Sequence, residues 1–105
     1  MGLEHRWSAR KIVSLEAFVF HRPQGLARVT LTNLGLEGAF VRTEHLHLPV
    51  PGMVELTFAL DTGGRARICQ LEAMVIHAAA GGYGLMFKDF RLETFRALGE
   101  VLTAA

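Results

Sequence analysis

An all-β fold, a six-stranded antiparallel barrel closed by a C-terminal α-helix, is predicted by three features of the sequence. Apolar and polar residues alternate with a period of two up to about residue 88. Clusters of Gly, Pro, Asn and Asp interrupt these runs at short intervals. After Asp89 the period lengthens to that of a helix. Short strands with tight connections favour a barrel, which also removes the exposed edges that invite aggregation.

The elements follow in order. The first eleven residues show neither period and are expected to form a flexible tail, with the barrel over 12–88 and the helix over 89–103. Ala17–His21 is apolar on both faces, Phe18 and Phe20 opposite Ala17 and Val19, which predicts that both are covered. In the next run Ala27, Val29 and Leu31 alternate with Arg28, Thr30 and Thr32. In another, Val54, Leu56, Phe58 and Leu60 alternate with Glu55, Thr57 and Ala59. Each places an apolar face inward. Gly38–Thr43, Arg67–His77 and Tyr83–Lys88 complete the six strands. The turns are expected at Pro23–Gly25, Asn33–Gly38, Pro49–Gly52, Asp61–Gly64 and Gly81–Gly82. In the helix, Leu92, Phe95, Leu98 and Leu102 form the stripe predicted to pack, and Asp89 is placed to cap its start.

Composition narrows the function. The chain has 105 residues, 50% of them hydrophobic, and a formal net charge of +1. This predicts one domain over 1–105 and excludes intrinsic disorder. No apolar run reaches the roughly 18 positions of a spanning helix, so no membrane insertion is expected. Charged residues at the start lack a following apolar segment, which argues for a cytoplasmic rather than a secreted protein. Near-neutral charge gives no case for DNA or RNA binding. The single cysteine, Cys69, excludes an internal disulfide and a cysteine-based zinc cage; in phase with Leu71, it reads as a core residue.

Few residues suggest chemistry on their own. His45 and His47 could face the same way in an extended segment, but two histidines without a third ligand make a poor metal site. His77, in phase with Val75 and Ala73, reads first as a partly buried histidine and second as a ligand contact at the barrel mouth. Met74, Ile76 and Met86 form an apolar strip expected against the helix, or at an oligomer interface. The only serines, Ser8 and Ser14, belong to no nucleophile motif, and there is no phosphate-loop lysine. A non-enzymatic protein without cofactor or metal is the expectation.

Two short motifs say more together than apart. The tail reads Glu4-His5-Arg6-Trp7-Ser8-Ala9-Arg10-Lys11, and Asn33-Leu34-Gly35-Leu36-Glu37-Gly38 joins two early strands. In this order they resemble the PilZ family of bacterial cyclic-diguanylate receptors, which carries R-x-x-x-R before its barrel and D/N-x-S-x-x-G between two early strands. Arg6 and Arg10 match the first motif; Asn33 and Gly38 match the outer positions of the second, while Gly35 stands at its serine. The proline-glycine turn and strand within 48–60, the strand Gly82-Tyr83-Gly84-Leu85-Met86-Phe87 and the helix from Arg91 extend the likeness over nearly the whole chain.

The resemblance implies that cyclic di-GMP is the ligand, held by Arg6, Arg10, Asn33, Gly35, Gly38 and His5; Trp7 by its ring and His77 by its place at the barrel mouth are candidates for further contacts. The chemistry suits these residues. An arginine fork pairs with phosphate oxygens or with the O6 and N7 acceptors of guanine, and the Asn33 amide both donates and accepts. Glycines at 35 and 38 would let backbone approach the ligand, and an arginine plane or Trp7 would stack on a base. The missing hydroxyl at Gly35 removes one hydrogen bond, worth about 1 kcal/mol. Glu37, beside the motif, is expected to face water. The implied mechanism is ordering of the arginine tail on the ligand, which creates a surface for a protein partner. A degenerate adaptor that works through protein contacts without the nucleotide is the alternative, favoured by Gly35, Glu37 and His5.

Overall fold

A computed structural model of the protein describes residues 10–88 and 92–103. Its six strands are β1 (Arg10–His21), β2 (Gly25–Gly35), β3 (Gly38–Arg42), β4 (Gly52–Thr62), β5 (Arg65–Ala79) and β6 (Gly82–Phe87), followed by α1 (Leu92–Thr103). All neighbours pair antiparallel, and the order β1-β2-β3-β6-β5-β4 closes into a barrel. Among the described residues no helix is long and apolar enough to cross a membrane.

Alternation decides which side chains enter the barrel. Val54, Leu56, Phe58 and Leu60 of β4 are buried, as are Val29 and Leu31 of β2 and Cys69, Leu71, Ala73 and Val75 of β5. Tight turns set the pairing. Thr62 and Arg65 are cross-strand partners, so β4 and β5 are joined by Gly63 and Gly64 alone, and both have positive φ. Such a two-residue turn matches the twist of a hairpin and favours glycine.

Several boundaries differ from those expected. The first strand begins at Arg10, so Arg10 and Lys11 belong to the barrel wall rather than to a tail. Pairing with Gly35 and Leu34 draws them in. Asn33–Gly38 is not one turn: Asn33, Leu34 and Gly35 end β2, Gly38 opens β3, and only Leu36 and Glu37 lie between. Phe18 and Phe20 are 38% and 42% exposed, so the second face of Ala17–His21 is only partly covered among the described residues.

The helix keeps Leu98 of its expected stripe inward but is rotated away from Leu92 and Phe95. It packs on β4 and β5 through Thr94, Ala97 and Leu98, while Leu92 and Phe95 are exposed. Small side chains at 94 and 97 allow a closer approach than leucine and phenylalanine would, and that contact sets the helix rotation. The Lys11 ammonium donates to the Val101 carbonyl at 3.1 Å, a cation at the helix end where carbonyls lack partners. The expected cap, Asp89, lies outside the described residues. Ile76 and Met86, expected against the helix, are exposed.

Candidate ligand-binding groove

An outward-facing row of five residues crosses five strands. Ile12 of β1 is the partner of Asn33 of β2, Asn33 of Phe40 of β3, Phe40 of Gly84 of β6, and Gly84 of His77 of β5. Directly paired residues point to the same side of a sheet, so this row forms the floor of a surface groove. The groove has a volume of about 570 Å³, and Arg10, Thr32 and Ile76 also line it.

Irregularities in the ladders shape the groove. Between Leu31 and Asn33 the β2–β3 register shifts by one residue, which leaves Thr32 extra on β2. Between Val75 and His77 the β5–β6 register shifts likewise, with Ile76 extra on β5. A bulge interrupts strict alternation and lets successive side chains serve one face. Thr32 with Asn33, and Ile76 with His77, thus line the same groove.

The bulge also corrects the reading of His77, which is exposed although Val75, in its sequence phase, is fully buried. Its ring lies over Gly84, where an added Cβ would fall 2.7 Å from Nδ1. Phe40 flanks it, with ring centroids 6.3 Å apart at 43°. Glycine at 84 is therefore what lets the imidazole lie against the wall. Together the two rings, Ile12 and Ile76 give the groove apolar, partly aromatic surfaces suited to a flat ring system.

At the β1–β2 end the groove becomes polar. Arg10 Nε donates to Asn33 Oδ1 at 2.7 Å, and this side-chain pair is exposed. The terminal guanidinium nitrogens make no hydrogen bond to the described residues beyond that contact, and they can receive an anion or a guanine edge. Gly35 is the cross-strand partner of Arg10 and shares the face of Asn33, two residues before it. It is not among the positive-φ glycines.

Of the residues singled out in the sequence, the fold thus brings Arg10, Asn33 and His77 to one groove, while Gly35, the cross-strand partner of Arg10, is buried beside them. Gly38 is buried as well, and there an added Cβ would collide with the Leu85 carbonyl oxygen of β6. Close packing of β3 on β6 demands glycine there, rather than approach of a ligand. Glu37 is exposed. His5, Arg6 and Trp7 lie outside the described residues. Sequence reasoning missed Ile12, Thr32, Phe40, Ile76 and Gly84 because barrel register brings them together; the closely spaced Gly82 and Gly84 were the one local hint of crowding.

A closed antiparallel six-stranded barrel with a C-terminal helix is a PilZ-like fold. Solved structures bear out that fold. Inhibitor of motility (MotI/DgrA) of Bacillus subtilis superposes with a TM-score of 0.77 at 17% identity, over 87% of this chain and 46% of that one. The chain thus spans about half the length of that protein. The PilZ domain of CeSA from a cellulose-synthesizing bacterium matches with a TM-score of 0.63 at 16% identity, over 89% of this chain and 93% of its own. An uncharacterized Legionella protein, Lpg0364, gives 0.55 at 19% identity, over 89% and 88% of the two chains. No family model and no curated protein matches the sequence.

Proposed function

We propose that the protein is a cytoplasmic cyclic di-GMP sensor whose groove takes the dinucleotide and whose arginine-bearing N-terminal segment orders over it. The observation that carries this reading is the joining of Arg10 to Asn33 beside Gly35, at one end of a groove with His77 at the other. Arg10, Asn33 and Gly35 are positions to which the PilZ motifs assign the ligand. The polar end suits phosphate oxygens or a guanine edge, and the aromatic floor suits a base. Covalent reach keeps the Arg6 backbone within about 14 Å of Arg10, so a second guanidinium can meet the same compact dianion. Trp7 lies within the same reach, and His5 within about 18 Å. A protein partner would then read the ordered segment.

The adaptor reading, in which the fold works through protein contacts alone, draws on one observation. Gly35, the cross-strand partner of Arg10, has no hydroxyl to donate. Titration calorimetry with cyclic di-GMP separates the two. The sensor reading expects low-micromolar or weaker binding. Absence of heat at about millimolar ligand, corresponding to less than about 4 kcal/mol, would establish the adaptor reading instead.

A further inference from the structure

Closure of the barrel uses only part of β5. It pairs with β4 without a bulge from Val75, opposite Gly52, back to Arg65, opposite Thr62. The β6 strand, in contrast, ends at Phe87, opposite Ala73. The first part of β5 thus has β4 on one side and an open edge on the other. The Lys88 amide donates to the Glu72 carbonyl at 2.8 Å, so Glu72 turns its backbone groups toward the β6 side. Backbone direction alternates along an antiparallel strand, so Gln70, Ile68 and Ala66 turn theirs the same way. The hairpin agrees, since Arg65 closes its two-residue turn against Thr62 on the β4 side. Past Glu72, these outward amides and carbonyls have no hydrogen bond among the described residues.

This edge carries none of the usual devices that keep strands of other chains away, namely charges, prolines and bulges. Ala66, Ile68 and Gln70 are uncharged, the ladder beside them is regular, and Ile68 is 72% exposed. Arg65 and Arg67 alternate with them and project to the other face. The far edge of the same hairpin differs. There β1 pairs with β4 only as far as Phe58, and Asp61 supplies a charge beyond it.

We propose that the open edge of β5 pairs with the same edge of a second copy, in an antiparallel two-fold dimer. A row of free backbone groups selects a strand as its occupant. Register selects this strand. With Ile68 opposite Ile68 of the second copy, Ala66 falls opposite Gln70 at both ends, and every free N–H and C=O of the three residues is paired. The two isoleucine side chains meet across the axis, about 5 Å apart at Cβ, and cover each other's apolar surface. Charge fits as well. Arg67 comes opposite Cys69 of the second copy, and Cys69 shares a cavity of about 310 Å³ with Glu55, Glu72 and Glu93. Its own cations are Arg67, also in the lining, and Lys88 beside Glu72, so an excess of negative charge remains. The two Arg67 groups are diagonal neighbours across the axis, and this excess offsets their repulsion. Ile68 and His77 lie toward opposite ends of β5, so the pairing leaves the groove open and needs no nucleotide.

The paired edge is short, so a weak, reversible dimer is expected, forming over about 0.1–1 mM chain. Sedimentation equilibrium of the full chain without nucleotide should show it. Hydrogen exchange read by NMR over the same range should slow at the Ala66, Ile68 and Gln70 amides as the chain is concentrated, and stay constant at Arg67 and Cys69, whose amides face β4. Ile68→Lys sets like charges on the axis and should leave a monomer at every concentration. Its melting in dilute solution should match the parent's, because the side chain is exposed. Ala66→Pro removes one outward amide from each copy without touching the β4 ladder, and should weaken the dimer by about tenfold. A chain that stays monomeric at about 1 mM would overturn the proposal and leave the edge to a strand of another protein. A dimer that survives Ile68→Lys would overturn it too, as would open-ended assembly, or protection of the three amides that does not depend on concentration.

Discussion

Arg10 donates its Nε hydrogen to Asn33 Oδ1 at 2.7 Å across 23 residues of sequence. Because Arg10 pairs with Gly35 and Ile12 with Asn33, the two side chains are diagonal neighbours on one face of the β1–β2 ladder. The bond turns one edge of the guanidinium toward the protein and leaves the fork's end for a ligand. It thereby reduces the side-chain freedom that binding would otherwise have to remove.

Arg10→Ala should weaken cyclic di-GMP binding by about 2 kcal/mol or more, roughly thirtyfold, the scale of a hydrogen bond to a charged group. Stability should change little, since the side-chain bond lost, to Asn33, is exposed. Calorimetry and thermal melting on the same variant check both. A large fall in melting temperature with unchanged affinity would make Arg10 structural.

Gly35→Ser should tighten binding by roughly 0.5–1.5 kcal/mol, the net worth of one hydrogen bond. The glycine lies in a strand and does not use the left-handed region, so serine meets no backbone penalty there. A hydroxyl at 35 would share the face of Arg10 and Asn33. Unchanged affinity at unchanged melting temperature would show that this strand end does not meet the ligand.

Two glycines of one ladder should respond differently to alanine. At Gly84 the added Cβ meets the His77 ring, an exposed side chain that can swing away. Gly84→Ala should therefore cost affinity, by about 0.5–1.5 kcal/mol through a lost ring contact, with little loss of stability. At Gly38 the Cβ meets the Leu85 carbonyl, which is backbone and cannot move without parting β3 from β6. Gly38→Ala should destabilise by about 2 kcal/mol or more. Denaturant melts and calorimetry on both variants test the contrast.

Burial pushes the Cys69 thiol above its ordinary value of 9.0, with Arg67 opposing the shift. The folded state therefore holds this proton more tightly than the unfolded chain does. The resulting stability is fully present below the unfolded thiol's pKa and is lost as pH rises above it through the folded value. The urea midpoint should fall above about pH 9 in the wild type, and fall less in Cys69→Ala. Equal slopes in the two proteins would contradict this.

The sequence by itself determined which residues face inward and where the chain must turn. Alternation at Val54, Leu56, Phe58 and Leu60 depends only on neighbours two apart, and the Gly63–Gly64 turn on backbone freedom within the turn. Arg10 and Asn33 could be singled out as motif residues for the same local reason. Tertiary structure alone decided what those residues meet. The row Ile12–Asn33–Phe40–Gly84–His77 exists only once five strands share a register. The bulges at Thr32 and Ile76 turn side chains outward that strict alternation would send in. The helix stripe was likewise legible only in period: helices show several apolar positions, and the close fit of Thr94 and Ala97 on β4–β5 selected the face. Register, bulges and packing faces are set by contacts between residues far apart in sequence, whose energies no local pattern encodes.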